Sequence, residues 1–540
     1  MTKRNLVIIG NGMAPGRMLE TLFRIAPDAY DVTIFNAEPR VNYDRILLSP
    51  VLSGEKTFDD IVIHGDDWYA AHGITLHRGE KVVQIDRAAR SVTSEGGITA
   101  RYDKLVIATG STPFILPVPG HTLPGVIAYR DLDDVQAMLR ASAKGGRAVV
   151  IGGGLLGLEA AAGLKARGME VTVIHLMPTL MERQLDPAAG YLLQKELESR
   201  GIDIRCGANT KAILGTERVE GVAFADGTEI AADLVVMAVG IRPETGLAKA
   251  TGLNVGRGIM VDEALRTSAP DVYALGECIE YHGQLFGLVA PLYDQAKVLA
   301  ATLAGEAGSY VIRETSTKLK VTGCDLFSAG DFAEAEGRED IVFRDPGRGV
   351  YKRLVLEGDK LVGAVMYGDT ADGAHFFGLI KDGKSVADER DTLIFGPGFG
   401  GTSTDPLAAV AALPDDAEIC GCNGVCKGTI VQAIRAGAGT LAEVKAVTKA
   451  GTSCGTCTSR VEQVLAATLG DAYVAPTSQP VCGCTDLTHE EVRAMIRAQG
   501  LKSQPAVWQE LGWKTVNGCH TCRPAINYYL LAEWPGDYAD

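Results

Sequence analysis

Ala148-Val-Val-Ile-Gly152-Gly-Gly154-Leu-Leu-Gly157-Leu-Glu159 sets a β-branched apolar run directly against clustered glycines and then a helix-forming stretch. A buried strand, a turn too tight for side chains and a helix N-terminus are the parts of a dinucleotide-binding βαβ unit. The pattern recurs near the start of the chain, where Leu6-Val-Ile-Ile runs into Gly10-Asn-Gly12-Met-Ala-Pro15-Gly16 and the helical Arg17-Met-Leu-Glu-Thr-Leu. Glycines at these positions let the backbone approach a pyrophosphate, whose charge then lies against the helix N-terminus. A single such match is weak; two in the same strand–helix context point to two nucleotides.

Further β-branched runs at Val32–Phe35, Leu105–Ala108, Val171–Ile174 and Leu234–Ala238 alternate with helical stretches, the signature of a parallel sheet in an α/β fold. Glu38, after the second run, is placed to accept a hydrogen bond from a ribose hydroxyl. Pro15 stands where a third glycine is expected, with Gly16 one residue late. Proline is tolerated in a first helical turn, so the helix forms but packs differently. His175 occupies the corresponding place after the second fingerprint. With no acid there for a 2′-hydroxyl and no adjacent arginine for a 2′-phosphate, NADH and NADPH both stay open.

Tyr102-Asp-Lys-Leu-Val-Ile-Ala-Thr109-Gly110-Ser, Ala238-Val-Gly240-Ile-Arg-Pro243 and Asp271-Val-Tyr-Ala-Leu-Gly276-Glu277 follow in the order found in flavin-dependent pyridine-nucleotide oxidoreductases, which this region resembles. The resemblance implies a glutathione-reductase-like fold with FAD on the first fingerprint and NAD(P)H on the second. It places Arg45, Thr109, Gly110, Gly276, Glu277 and Gly240 at the cofactors, and Glu159 beside the nicotinamide as the catalytic residue. The usual residue at Glu277 is Asp. Disulfide reductases of this fold need a cysteine pair at the flavin, and Asn42-Tyr-Asp-Arg45-Ile-Leu-Leu-Ser-Pro50 has none. Cys206, Cys278 and Cys324 form no close pair in sequence and read as small buried hydrophobes.

Another road for the electrons lies at the C-terminal end. Cys420-x-Cys422 is answered by Cys454-x-x-Cys457, and Cys482-x-Cys484 by Cys519-x-x-Cys522. Thiolates in this repeated pattern can hold iron–sulfur clusters, which carry electrons singly. Zinc is the structural alternative, though C-x-C is tight for it. The first copy resembles bacterioferritin-associated ferredoxin, a helical [2Fe–2S] fold, which implies Cys420, Cys422, Cys454 and Cys457 as ligands and leaves Cys426 a bystander. In the second copy, whose cluster type stays open, Thr488-His-Glu-Glu491 reads as a capping box, Pro524 as the first residue of a closing helix, and Trp508 and Trp513 as packing of a small core.

The 540 residues carry a formal charge of −15, which disfavours nucleic acid as a partner. No apolar run reaches the roughly 18 residues of a membrane span, and the N-terminal run ends at Gly10, too short for an export signal. Twelve cysteines in such a chain are expected in a reducing cytoplasm, with metal or catalytic roles ahead of disulfides.

Taken whole, the chain resembles the large-subunit family of assimilatory NAD(P)H-dependent nitrite reductases. Ser316-Thr-Lys-Leu-Lys-Val-Thr-Gly-Cys-Asp-Leu-Phe-Ser-Ala-Gly-Asp331 resembles the start of its third domain, and Gly518-Cys-His-Thr-Cys-Arg-Pro-Ala-Ile-Asn-Tyr-Tyr529 its second cysteine module. That family's sirohaem domain follows the second module; here only residues 523–540 follow Cys522. Nitrite reduction to ammonia is therefore not expected on this chain, which reads as a truncated large subunit or a separate electron-transfer subunit feeding a nitrite or nitrate reductase. A homodimer stays open. The rival readings are a flavin dehydrogenase of an amine or opine, and an NADH oxidase with zinc-bound docking modules. Expected boundaries are 1–120 with 246–312 for FAD, 121–245 for NAD(P), 313–400 for an α+β third domain, and 417–472 and 481–540 for the cysteine modules. Thr402 to Asp416 and Ala475 to Pro480 read as linkers.

Overall fold

The computed structural model describes residues 3–312, 316–321, 323–396, 406–411, 413–421, 423–453, 455, 457–473, 480–482, 484–515, 518 and 522–538. Cys422, Cys454 and Cys519 lie outside them. The chain forms two compact units, residues 1–468 and 469–540.

In the first unit the two glycine fingerprints head two five-stranded parallel sheets of the same plan. One runs Val272–Ala274, Lys104–Ile107, Arg4–Ile9, Tyr30–Asn36, Thr75–Arg78. The other runs Val126–Ala128, Leu234–Met237, Arg147–Ile151, Glu170–His175, Ile202–Cys206. Each strand that carries a fingerprint is central, so its residues are buried on both faces: Leu6, Ile8 and Val150 have no exposed surface. Burying such a side chain contributes roughly 1.5–3 kcal/mol. The sequence between Lys104–Ile107 and Val272–Ala274 supplies the whole second sheet.

A third sheet is antiparallel, in the order Thr317–Val321, Cys324–Gly330, Lys360–Tyr367, Val350–Glu357, Arg338–Asp345. Its Cys324, Leu326, Tyr351, Val365 and Tyr367 join the core of the second sheet. Its Phe327, Leu354 and Met366 pack with Phe376 of helix Gly373–Asp382. A buried polar contact pins the junction: Tyr351 donates to Asp186 at 2.6 Å, and Arg353 pairs with Asp186 and Asp340. The segment expected as a linker, 402–416, holds a short helix, Pro406–Ala411, among its described residues.

Helices Lys427–Arg435, Leu441–Thr448 and Thr458–Leu469 form the first cysteine module. In the second unit, helices His489–Gln499, Gln504–Glu510 and Cys522–Glu533 enclose a core containing Trp508 and Trp513. The capping box at Thr488 and Glu491 is present. The closing helix begins at Cys522 rather than Pro524, which therefore sits in its first turn, where a missing N–H costs nothing. No described helix is long and apolar enough to cross a membrane.

Candidate functional site

The first glycine of each fingerprint is dictated by the neighbouring strand. Gly10 has φ +110°, and a Cβ there would lie 2.2 Å from the carbonyl oxygen of Ala108. Gly152 has φ +124°, and a Cβ would lie 2.2 Å from the carbonyl oxygen of Ala238. Ala108-Thr-Gly110 and Ala238-Val-Gly240 are thus the walls against which the two loops close. Helix Met13–Ile25 starts from Gly12 and helix Leu155–Ala166 from Gly154, neither with a side-chain cap nor with an acid in its first turn. Both positive helix ends are left to an anionic ligand. Gly12 and Gly154 have open space where a Cβ would stand, so the residues present fit two dinucleotides. The late glycine, Gly16, takes a different neighbour from the one the motif implies: a Cβ there would meet the His64 ring and Asn42.

The first helix N-terminus opens into a cavity of about 1560 Å³ lined by Gly10, Gly12, Glu38, Arg45, Thr109, Gly110, Gly276, Glu277 and Glu159. Gly16, Gly152, Gly154, Gly157, His175 and Gly240 are not on its wall. Glu38 is engaged by Arg45, and its other oxygen accepts from Tyr43 at 2.7 Å. A carboxylate has lone pairs to spare for a ribose hydroxyl. Glu277 accepts from Ser111 at 2.7 Å and pairs with Arg130. Arg130 immediately precedes a helix fixed by a capping box between Asp131 and Asp134, and that box sets its entry into the cavity.

Glu159 sits half-buried in the second turn of its helix and accepts from Ser49 at 2.6 Å; Ser49 and Tyr129 share a hydrogen bond of 2.8 Å. Burial pushes the Glu159 carboxyl up to about 7, against the weaker downward pull of Ser49. His175 is buried. Its Nδ1 accepts the Gly153 N–H at 3.1 Å, so its Nε2 carries the proton and donates to Glu182 at 3.0 Å. His175 therefore supports the glycine loop and fixes an acid beside the strand end.

Cys420 and Cys457 line the same cavity, with Arg460. Their free thiols share a hydrogen bond, and with the Asn423 and Gly451 backbone N–H groups this pulls Cys420 below the usual thiol range despite burial. The Asn423 side chain also donates toward the Cys420 sulfur at 3.7 Å. In the second unit the thiols of Cys482, Cys484 and Cys522 lie within 4.8 Å of one another, which suits ligands of one metal centre. Arg130, Ser49, Tyr129, Asn423 and Trp513 were not singled out as site residues from sequence. Only Arg130 carried a usable signal, a cation directly before a capping box.

Glu159 offers a test. Because its pKa of about 7 lies above the ordinary 4.5, the folded chain binds that proton more tightly than the unfolded one. The associated stability is complete below about pH 4.5 and is lost as pH rises through 7. Glu159→Gln is therefore expected to raise the thermal midpoint by a few degrees at pH 8 and not at pH 5, and to flatten the pH dependence of NADH-driven flavin reduction near 7. Equal midpoint shifts at both pH values would exclude a raised carboxyl.

Residues 4–302 match the pyridine nucleotide-disulphide oxidoreductase family, 316–384 the rubredoxin NAD+ reductase C-terminal domain, and 418–467 and 480–532 the BFD-like [2Fe-2S] binding domain. The chain is 48% identical to nitrite reductase [NAD(P)H] of Bacillus subtilis (strain 168), over 100% of its own length and 67% of that protein's. It is 41% identical to the assimilatory nitrate reductase electron transfer subunit of the same organism, over 99% and 69%. Among solved structures, the ferredoxin reductase for the CYP199A2 system from Rhodopseudomonas palustris superimposes with a TM-score of 0.65 at 28% identity, covering 72% of this chain and 97% of that one. Two glycine-turn sheets, a third antiparallel sheet and two cysteine modules thus each have their counterpart, and the chain belongs to the pyridine nucleotide-disulphide oxidoreductase family, with a nitrite reductase [NAD(P)H] and an assimilatory nitrate reductase electron transfer subunit among its full-length relatives.

Proposed function

We propose that this chain is the electron-input part of an assimilatory nitrite or nitrate reductase, drawing on NADH and delivering electrons through its cysteine modules to a sirohaem domain or partner subunit. When bound, FAD would supply a hydride acceptor able to give up its electrons singly, and a [2Fe–2S] cluster would supply a one-electron carrier. The observation that carries the reading is that Cys420 and Cys457 share a cavity wall with Gly10, Gly12, Gly276 and Glu159. Gly10, Gly12, Thr109, Gly110, Gly276 and Glu277 would cradle FAD, with Gly16 packing its helix; Glu38 and Arg45 would hold its ribose. Gly152, Gly154, Gly157 and Gly240 would shape the nicotinamide-nucleotide site, and Glu159 would line the place of hydride transfer. Glu182, fixed by His175, would set a carboxylate near the ribose of a nucleotide bound at the second glycine turn, which would favour NADH over NADPH.

Cys420, Cys422, Cys454 and Cys457 would ligate the first cluster, and Cys482, Cys484, Cys519 and Cys522 the second. The domain limits of 1–120 with 246–312, 121–245, 313–400, 417–472 and 481–540 fit this division of labour, and a thiol-rich protein of this kind suits a cytoplasmic location. The test is ammonia formation from nitrite and NADH when the iron-loaded chain is combined with a sirohaem nitrite reductase domain. Ammonia made only with both present is expected. Viologen reduction by NADH without ammonia would remove the nitrite role and leave a reductase of another acceptor.

A further inference from the structure

The second cysteine module holds a contact that neither the family match nor the motif assigns. The indole N–H of Trp513 donates to the sulfur of Cys522 at 3.3 Å in a buried setting. Everything around the ring keeps it there. The Trp513 backbone N–H donates to the Trp508 carbonyl at 2.9 Å, and the two rings meet edge to face at 5.1 Å. The next residue ties this segment to the other half of the motif: the Lys514 N–H donates to the Cys484 carbonyl at 2.7 Å, and its ammonium pairs with Asp486 at 2.6 Å. The approach of the Trp508 ring to Cys522 also depends on residue 518 having no side chain, because a Cβ there would lie 2.8 Å from the Trp508 ring and 3.0 Å from the Cys522 sulfur.

We infer that Trp513 is a positioning residue that raises the reduction potential of the cluster in the second module, through a fixed N–H···S bond to Cys522. The inference rests on that module holding an iron–sulfur cluster. A hydrogen bond to a ligand sulfur stabilises the more negative, reduced form more than the oxidised one. Reduction adds one electron, supplied by the reductase half of the chain or by a chemical reductant; no bond breaks, and the indole keeps its proton. In the first module Cys420 instead takes the backbone N–H groups of Asn423 and Gly451 and, at 3.7 Å, the Asn423 amide. Burial alone favours giving an indole N–H an acceptor, so a purely structural bond is the competing account, and only a redox readout separates the two.

The test uses the full, iron-loaded chain labelled with 15N-tryptophan and reduced anaerobically with dithionite, the second-module signal being the one that persists in Cys420→Ala. Pulsed electron paramagnetic resonance is expected to show a 15N coupling on that signal, retained in Trp508→Phe and lost in Trp513→Phe. Trp513→Phe is also expected to lower the midpoint of that signal alone, on the order of tenfold in the reduced-to-oxidised ratio at fixed potential, ~59 mV for one electron. Should Trp513→Phe fail to assemble, Trp513→Leu, which also lacks the N–H, supplies the midpoint comparison. A second-module signal with no 15N coupling, or an unchanged midpoint in an intact variant, overturns the inference alone. The absence of any such signal in iron- and sulfide-replete protein overturns the cluster reading and the inference with it.

Discussion

Cys420→Ala in the full chain is expected to cut NADH-driven reduction of one-electron acceptors on the order of 100-fold while leaving anaerobic flavin bleaching by NADH within about threefold of wild type. The split follows from where the residue sits. Cys420 is buried on the wall of the flavin cavity beside Cys457, while the glycine turns and Glu159 that would bind and orient the two nucleotides belong to other elements. Losing one thiolate removes a ligand and leaves those elements in place. Stopped-flow absorbance of the flavin and a cytochrome or viologen assay measure the two halves separately. If both rates fell together, the first module would be part of the flavin site's architecture and not an exit for its electrons.

The second large effect is expected from Gly152→Ala. Alanine is strained at φ +124°, and its Cβ would stand 2.2 Å from the backbone oxygen of Ala238, just past strand Leu234–Met237, which as main chain cannot yield cheaply. The loop before helix Leu155–Ala166 must then open, and NADH-dependent flavin reduction should fall by at least about 100-fold, while FAD stays bound and dithionite still bleaches it. Gly10→Ala, with the same clash against Ala108, should instead yield protein without flavin. Flavin content together with the NADH reduction rate distinguishes the two variants. Loss of flavin from both would mean that the two loops do not serve separate nucleotides.

Much of the fold was legible because its decisive signals are local. A β-branched run ending in glycines fixes a strand, a turn and a helix within some 15 residues, and both central strands fall where Leu6–Ile9 and Ala148–Ile151 predict them. The cysteine spacing was legible for the same reason, since C-x-C and C-x-x-C each place two sulfurs on one turn. What sequence could not show are partners brought together by the sheets: Glu277 meets Arg130 across 147 residues, and Glu159 meets Ser49 across 110. Glu277 and Glu159 were readable as motif positions; that Arg130 and Ser49 would meet them was not. His175 was readable as a strand-end position, but a histidine there gives no hint that its ring will be buried under a glycine loop. Trp513 was readable as core but not as a donor, since that role depends on Gly518 and on a ring angle set by Trp508.

The claim at the centre is that NADH, the flavin cavity and the first cysteine module form one electron path. Anaerobic NADH titration of the iron-loaded chain, followed by low-temperature electron paramagnetic resonance, tests it most directly. Reduced-cluster signals that grow as the flavin absorbance is consumed, and that disappear in Cys420→Ala, are the predicted result. Flavin reduced by NADH while clusters shown to contain iron and sulfide stay oxidised, yet remain reducible by dithionite, would contradict the account.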